Sequence, residues 1–444
     1  MNDRDTTIEQ IYARRQRKRR RRRAFWITIL VLLILAALGT GVWLFLCGGD
    51  KDAPAPTDPT GETDPSVPAA TSATEEPSPT QESTEPPTET PTQPEDNSEA
   101  RLARAQELLD GMTLEEKLWQ MLIVTPEQLT GVDTATRSGD ATKAALEEMP
   151  VGGLIYFAKN IEDPEQITEM ISNAQSYSKL GMFISVDEEG GSVARVASNS
   201  AMGVSKQPAQ GSITTEADAT AASAAIVGYL SKLGFNLNFA PVADVNTGSE
   251  VLGDRAFSGS FEDAAKLVAA SVQGYDGTGV LCTLKHFPGM GAASGDPHDG
   301  SCVTTRTLDE MLDGEFRPFT SGIKAGADLV MVGHVICTNV TGTSMPASLS
   351  KMIVTDILRG TLKFDGLVVT DALNMDAIGN LYDSDSAAVK AVQAGCDLLL
   401  MPKTPKLAVQ GLANAVEEGK LTEERINESV LRILVKKLEA GIIQ

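Results

Sequence analysis

Histidine and cysteine are scarce in this chain of 444 residues, which limits the chemistry that it can carry. It has three histidines and five cysteines. No two cysteines are spaced as Cys-x-x-Cys, and no cysteine lies in a ligand-like cluster with histidine. The sequence therefore does not indicate a zinc site or a redox-active dithiol. We expect neither a cofactor nor a metal.

The individual cysteines differ in their sequence surroundings. Cys282 and Cys396 lie in or beside apolar runs, so we expect both in the core. Cys302 and Cys337 lie in segments that the sequence indicates are loops, where they could form a disulfide if oxidised. The sequence alone leaves that pairing open.

Positive charge is in short supply outside the first residues. Ten of the 38 Lys and Arg residues fall in 1–23 with only three acids, which leaves 28 basic against 57 acidic residues in the remainder. An acidic surface of this kind repels nucleic acid and anionic lipid. The arginine run is therefore not interpreted as a nucleic-acid or nuclear-targeting segment, although that is its alternative interpretation.

Charge is missing altogether from residues 24–47. As a helix this stretch would be roughly 36 Å long, enough to cross a bilayer core of about 30 Å. The arginines end where it begins, so the positive-inside rule predicts a basic cytoplasmic tail at 1–23 and an extracellular remainder. A cleaved signal peptide is the alternative, but residues 44–47 lack the small side chains of a cleavage site. We predict an uncleaved single-pass anchor in the cell membrane.

Large apolar side chains are nearly absent from residues 48–98, which are rich in Pro, Thr, Glu and Ser. Such a composition cannot bury enough surface to offset the entropy of ordering, so we predict a disordered linker. If extended as polyproline it would reach up to roughly 150 Å. It would separate the anchor from a single catalytic domain at 99–444.

Short apolar runs alternate with amphipathic helical stretches throughout residues 99–444. The runs are 121–124, 153–157, 183–186, 237–240, 280–284, 329–332, 367–370 and 398–401. The helical stretches include 165–178, 216–233, 263–275, 308–325, 350–359 and 386–394, with two further helices after 404. Continuous apolar strands joined by helices indicate parallel pairing with both faces covered.

We therefore predict an α/β domain, specifically a (β/α)8 TIM-type barrel, with a doubly wound open sheet as the alternative. No Gly-x-Gly-x-x-Gly opens a helix after the first run, so a dinucleotide-binding role gains no support. In such a barrel the functional face is formed by the carboxyl ends of the strands.

Polar side chains follow several of the apolar runs. Any one of them could be a helix cap or part of a strand-end ion pair, but together they indicate a site at one rim. They are Asp187, Asp244, Lys285, His286, His334 and Asp371.

Residues 285–298 hold two of the three histidines, in a segment rich in glycine and proline that indicates a mobile loop. A lysine, an imidazole and an Asp-x-His pair in one loop suit acid/base chemistry. The alternative is a solvated loop with ordinary polar residues.

This stretch reads Lys-His-Phe-Pro-Gly-x-Gly followed by Asp-x-His, and it resembles the β-N-acetylglucosaminidases of glycoside hydrolase family 3. Further similar segments occur in the same order: Asp-Glu-Glu-Gly-Gly-x-Val-x-Arg at 187–195, Gly-Asp-Arg-Ala-Phe-Ser at 253–258 and Val-Val-Thr-Asp at 368–371. The chain departs from the family at Met290, where histidine is common. We interpret that change as one of loop packing away from the Asp-x-His pair.

The resemblance implies a retaining glycoside hydrolase that releases terminal β-linked N-acetylglucosamine, from peptidoglycan fragments or related glycans. It implies that Asp371 is the nucleophile, and that His298, oriented by Asp296, gives and takes the proton. An imidazole suits this role because it titrates close to neutral pH. The resemblance also implies that the sugar is bound by Asp187, Arg195, Arg255, Lys285 and His286.

Two other functions stay open at this stage. A phosphorylase would use the same aspartate and histidine with phosphate as acceptor, and a glycan-binding protein would have lost turnover. His334 is expected to be structural. If His298 is not the proton donor, His286 and Glu188 are the next candidates.

Overall fold

The computed structural model describes residues 98–249 and 251–444. The predicted basic tail and membrane anchor lie outside these residues, as does the predicted linker except for Ser98, which begins a helix. Within the described part, no helix combines the length and apolar character needed to cross a bilayer.

The described part contains twelve strands, numbered here in chain order. They are β1 (Leu122–Val124), β2 (Gly153–Tyr156), β3 (Phe183–Val186), β4 (Glu188–Gly190), β5 (Val193–Ala194), β6 (Leu237–Asn238), β7 (Thr283–Phe287), β8 (Cys302–Thr304), β9 (Leu329–Val332), β10 (Val335–Cys337), β11 (Leu367–Thr370) and β12 (Leu399–Leu400).

The eight predicted apolar runs supply two parallel sheets. One has the order β12-β1-β2-β3-β6 and the other has the order β11-β9-β7. Single parallel bridges connect their edges, from Leu237 to Leu281 and from Val369 to Leu398. The residues of β2, β3, β9 and β11 are all buried, as expected for strands covered on both faces. The predicted α/β class with parallel strands is confirmed.

The fifth strand was placed too early by the sequence. The apolar run predicts a strand at 280–284, whereas β7 spans Thr283–Phe287. Lys285 and His286 therefore lie inside a buried strand, not in a mobile loop after it. The reason is that Lys285 is neutralised by Asp187, which directly follows β3, and by Glu189 in β4, so a charged position can continue the buried ladder.

Helices precede or connect the strands. They are Ser98–Asp110, Leu114–Gln120, Pro126–Thr130, Asp140–Glu148, Pro164–Tyr177, Glu216–Lys232, Phe261–Gln273, Leu308–Asp313, Phe316–Lys324, Thr338–Thr341, Met352–Thr361, Asp376–Gly379, Ser384–Ala394, Pro405–Glu417 and Glu423–Glu439.

The predicted helical stretches are helical in the structure, with two differences. The stretch 308–325 is divided into two helices at Gly314, where the backbone leaves the helical region at φ −126° and ψ −99°. The stretch 350–359 becomes Met352–Thr361, which is of the π type. Helix starts follow ordinary capping: the Thr215 and Thr422 side chains each accept a bond from a backbone N–H three residues later.

Two small strand pairs lie outside the main sheets, and they correct the loop prediction for two cysteines. Cys302 belongs to β8 and Cys337 to β10, which pair in parallel. Both thiols are buried and free, as are Cys282 and Cys396, whose core positions are confirmed. Burial raises the pKa of both the Cys302 and Cys337 thiols to about 12. The second pair, β4 with β5, is antiparallel and carries part of the site described next.

Candidate active site

A cavity of about 400 Å³ opens where the carboxyl ends of several strands meet. Seven of the eight predicted site residues line it, and Asp296 is the exception. The charged and imidazole side chains in its wall are Asp187, Glu189, Arg195, Arg255, Lys285, His286, His298 and Asp371. Its volume lies within the range of small-molecule sites.

Lys285 is the centre of a buried ion cluster in this wall. Its Nζ lies 2.7 Å from Asp187 Oδ1 and 2.6 Å from Glu189 Oε1, and its side chain is only 2% exposed. Burial opposes its charge, but Asp187 and Glu189 outweigh that effect and raise the pKa of Lys285. The ammonium is therefore kept charged and pointed into the cavity.

Arg255 completes the cluster through a bidentate pair with Glu189. Its Nε and one terminal nitrogen donate to the two Glu189 oxygens at 2.9 and 2.8 Å. Burial alone would raise the pKa of Glu189, but Lys285 and Arg255 lower it to about 2. Glu189 thus holds two cations of the cavity wall in place. The predictions gave it no role, although its position in a strand, two residues from Asp187, could have indicated that both face the same side.

His286 is fixed by Asp244, which follows β6. Asp244 Oδ2 accepts from the His286 backbone N–H at 2.9 Å and lies 2.8 Å from His286 Nδ1. Its Oδ1 accepts from the Met290 N–H at 2.6 Å. Nδ1 therefore carries a proton that it donates to Asp244, and Nε2 is the ring nitrogen that is not bonded to Asp244. The sequence placed Asp244 on the predicted rim but indicated no role for it.

Met290, at the position where the family commonly has histidine, is buried and lines the same cavity as His298. Its position apart from the Asp-x-His pair stays a prediction. The following Gly291 is packed so tightly that an added Cβ would lie 1.6 Å from the Val245 carbonyl oxygen. The base of the loop is therefore held against the segment after β6.

Arg195 differs from the other two cations because no carboxylate pairs with it in the described part of the chain. Its guanidinium carbon lies 5.8 Å from the centre of the Phe157 ring. Its Nε is buried and lacks a hydrogen-bond partner. A hydrogen-bond donor of this kind in a cavity wall is available to a ligand.

Asp371 directly follows β11, and its backbone continues the sheet. Its N–H donates to the Val332 carbonyl at 2.9 Å, and its Oδ1 accepts from the Ala372 N–H at 2.7 Å. Burial alone would raise the pKa of Asp371. The hydrogen bond from the Ala372 N–H and the charge of Lys285 are among the effects that outweigh burial and hold that pKa below its ordinary value. The carboxylate is therefore ionised and faces the cavity.

His334 supports the segment that carries Asp371. Its Nε2 lies 3.0 Å from the Ala372 carbonyl oxygen and its Nδ1 lies 2.8 Å from Ser348 Oγ. A carbonyl only accepts, so the proton is placed on Nε2, and the Ser348 hydroxyl donates to Nδ1. Burial lowers the pKa of His334, which agrees with a neutral ring. His334 does not line the cavity, consistent with the structural role expected of it.

His298 and Asp296 lie in the loop between β7 and β8. The Asp296 Oδ1 accepts from the His298 backbone N–H at 2.8 Å and lies 2.9 Å from His298 Nδ1. The loop is joined to the segment after Asp371, because the Ala377 N–H donates to the Pro297 carbonyl at 3.1 Å. With Nδ1 bound to Asp296, Nε2 is the nitrogen that can exchange a proton with a ligand.

Glu188, the proposed reserve proton donor, is misplaced for that role. Its side chain is completely buried and does not line the cavity. Its oxygens already accept from the Val196 and Ala197 N–H groups and from the Tyr229 hydroxyl. Among the described residues, no group of three His, Cys, Asp or Glu side chains is arranged to hold a metal ion.

Comparison with known proteins bears directly on this constellation. Residues 113–435 match the family described as Glycosyl hydrolase family 3 N terminal domain. The chain belongs to glycosyl hydrolase family 3. It is 33% identical to beta-hexosaminidase A of Pseudoalteromonas piscicida over 368 aligned positions, and the alignment covers 72% of this chain and 60% of that protein. It is also 33% identical to the beta-hexosaminidase of Idiomarina loihiensis, over 67% of this chain and 90% of that protein.

A solved structure is similar as well. The glycoside hydrolase family 3 beta-N-acetylglucosaminidase of a Paenibacillus species superimposes with a TM-score of 0.70 at 34% identity. The match covers 75% of this chain and 63% of that protein. The chain thus spans less than two thirds of two of these relatives.

Proposed function

We propose that this family 3 chain is a retaining β-N-acetylglucosaminidase that removes terminal N-acetylglucosamine from peptidoglycan fragments or related glycans. The observation that carries the proposal is the ionised, strand-end carboxylate of Asp371 facing a cavity that also holds His298 and the Lys285 cluster. The names of the similar proteins support the same sugar specificity.

In the proposed reaction, Asp371 attacks the anomeric carbon and the bond from that carbon to the leaving oxygen breaks. His298 gives its Nε2 proton to the leaving oxygen, and Asp296 stabilises the imidazolium that gives it. Water then attacks the anomeric carbon of the glycosyl-enzyme. His298 takes a proton from that water, and the bond from the sugar to Asp371 breaks. Two inversions at one carbon give net retention.

The sugar hydroxyls would be bound by Asp187, Arg195, Arg255, Lys285 and His286. Four of them are held by partners before the substrate arrives: Asp187 and Lys285 by each other, Lys285 also by Glu189, Arg255 by Glu189, and His286 by Asp244. Because these groups need not be ordered on binding, less free energy is lost than with mobile side chains.

A chromogenic N-acetylglucosaminide tests the proposal. Purified residues 1–444 in detergent should release the chromophore and give a product of retained anomeric configuration. Absence of turnover, with N-acetylglucosamine still bound, would favour a glycan-binding protein. Release of N-acetylglucosamine 1-phosphate in phosphate buffer would instead identify a phosphorylase.

We further propose that the eight parallel strands form a (β/α)8 TIM-type barrel. The two single bridges at the sheet edges support a closed ring. A crystal structure with an open gap between β6 and β7 would contradict it.

The location of the domain is also a proposal, which rests on the arginine run, the uncharged residues 24–47 and the composition of 48–98. Residues 24–47 would anchor the chain in the cell membrane, with 1–23 cytoplasmic and the catalytic domain outside. Protease added to intact cells should release the domain by cutting within 48–98. Protection in intact cells and cleavage only after lysis would reverse the orientation.

A further inference from the structure

Glu188 and Glu189 are neighbours in β4 but face opposite sides of it. Glu189 reaches the cavity, whereas Glu188 is completely buried behind the cavity wall. A carboxylate in such a place is costly unless its oxygens are fully bonded. Burial raises the pKa of Glu188 despite the hydrogen bonds that oppose this change. Its contacts show what the buried charge holds in place.

The Glu188 carboxylate receives three hydrogen bonds. Oε2 accepts from the Val196 N–H at 2.7 Å, while Oε1 accepts from the Ala197 N–H at 2.9 Å and from the Tyr229 hydroxyl at 2.7 Å. The backbone of Glu188 is itself fixed, because its N–H and carbonyl both bond to the Asn238 side chain at 2.9 Å. Glu188 therefore ties the segment after β5 to the end of β6.

Arg195 lies in the middle of that tied segment. The residue before it, Ala194, pairs with Glu188 in the β4–β5 ladder. The residue after it, Val196, donates its N–H to the Glu188 carboxylate. Both chain neighbours of Arg195 are thus attached to one residue.

The guanidinium of Arg195 has little else to fix it. Apart from the Phe157 ring, it has no partner in the part of the chain that the structure describes, and its Nε is buried without a hydrogen bond. The backbone at 194–197 therefore determines where this cation enters the cavity. A displacement of that backbone would move the point from which the Arg195 side chain extends.

We infer that Glu188 is a positioning residue that fixes Arg195 for binding of the terminal sugar. The inference rests on the proposed function, since it takes Arg195 as a sugar-binding group. It replaces the earlier hypothesis of Glu188 as a proton donor: the residue acts through the backbone around Arg195 and does not touch the substrate.

The substitution Glu188→Gln tests the role with little change of shape. An amide has one acceptor oxygen, so its NH2 group must face at least one of the two backbone N–H donors. The variant therefore loses a hydrogen bond to a charged group. That loss should raise KM about tenfold and change kcat by less than about twofold. The increase in KM should be equal for an aryl glycoside and a disaccharide. A larger loss on the disaccharide would overturn the inference in favour of proton donation.

Tyr229→Phe is the matched control. It removes one of the three bonds to Glu188 and leaves both backbone bonds in place, so KM should change by less than about threefold. If Tyr229→Phe raises KM as much as Glu188→Gln does, the backbone contacts are not what matters. Glu188→Asp, which keeps the charge but withdraws it from 196–197, should reproduce the KM defect and serves if the glutamine variant does not fold.

A double-mutant cycle with Arg195→Ala isolates the connection. If Glu188 acts through Arg195, Glu188→Gln should change KM by less than about twofold once the guanidinium is absent. If the effects of Glu188→Gln and Arg195→Ala on KM are fully additive, the inference is overturned. Wild-type turnover is measured in parallel: an inactive wild type contradicts the proposed function, whereas an active wild type with an unaffected Glu188→Gln variant contradicts only the role of Glu188.

Discussion

The two proposed catalytic groups lie in regions with opposite properties. Asp371 continues a buried strand, with its backbone and one carboxylate oxygen bonded to the chain. The His298 side chain is 63% exposed and its partner Asp296 is 38% exposed, in a loop between two strands. One group is fixed by the sheet, and the other is open to water.

This difference matches the two tasks. Bond formation at the anomeric carbon depends on a fixed approach, since small displacements of reacting atoms slow a reaction greatly. The proton donor must instead work in both directions and meet the incoming water in the second step. Rigid geometry therefore lies at the strand ends, and the proposed proton exchange would take place at the solvent-facing loop.

The largest effect is expected at the fixed end. Asp371→Asn should lower kcat by roughly 10⁴- to 10⁶-fold, as removal of a covalent nucleophile does in other enzymes. The loss should be similar for aryl glycosides and disaccharides, because neither can form the glycosyl-enzyme. Trapping of the wild type with a fluorinated sugar, followed by peptide mass mapping, should label Asp371. A label on another residue would contradict the assignment of Asp371 as the nucleophile.

The open end should respond differently to the leaving group. His298→Ala should slow disaccharide cleavage by about 10²–10⁴-fold relative to cleavage of an activated aryl glycoside, which needs little protonation. Asp296→Asn should show the same pattern more weakly, because the ring loses only its orientation.

Met290→Leu is the control for this experiment, because Met290 lines the same cavity without belonging to the pair. It should show no dependence on the leaving group. Equal losses on both substrates for His298→Ala would mean that the loop histidine only binds, and the donor would be sought at His286.

Stability should also distinguish the two regions. Glu189→Gln leaves Lys285 and Arg255 buried with one anion fewer, which should lower the free energy of unfolding by about 3–5 kcal/mol. Asp296→Asn breaks an exposed pair and should cost less than about 1 kcal/mol. Urea unfolding at neutral pH measures both. Equal costs would show that the strand-end cluster is no more important for folding than the loop pair.

The pH dependence of unfolding sharpens this contrast. The pKa of Glu189 is lowered from 4.5 to about 2 in the folded chain, so its contribution is complete above pH 4.5 and is lost as the pH falls towards 2. The wild type should therefore lose stability relative to Glu189→Gln across that interval. A constant difference between the two proteins from pH 5 to pH 2 would contradict the lowered pKa.

The smallest effect is expected from the residue that fixes the His334 tautomer. Ser348→Ala removes the donor to Nδ1. It should weaken transition-state stabilisation by about 1 kcal/mol, which lowers kcat/KM about fivefold. The loss should be the same on aryl glycosides and disaccharides, since it acts on the Asp371 side of the site. A loss confined to disaccharides would place His334 with the loop instead.

Much of the fold could be predicted because buried parallel strands leave uninterrupted apolar runs. The exception, β7, shows the limit of that signal. Its charged residue Lys285 is stabilised by Asp187 and Glu189, nearly one hundred positions earlier in the chain. A local pattern cannot show a partner at that distance, so the strand was ended before its charged part.

The site residues divide in the same way. Residue type and motif indicated Asp371, the Asp-x-His pair and the sugar-binding cations. They did not distinguish Glu188 from Glu189, because the side that each side chain faces depends on where β4 begins. The role of Asp244 was not predicted for a related reason: it depends on the fold of residues 285–290, which brings three donors of that segment to one carboxylate.

The charges in the cavity wall have a further consequence for how a ligand arrives. Three anions and three cations, Asp187, Glu189, Asp371, Arg195, Arg255 and Lys285, cancel formally, although the whole chain carries −22. A neutral sugar therefore meets local dipoles and no net field drawing it inward. Buried pairs are also shielded from dissolved ions. Ionic strength should then have little influence on substrate affinity, even for so acidic a protein.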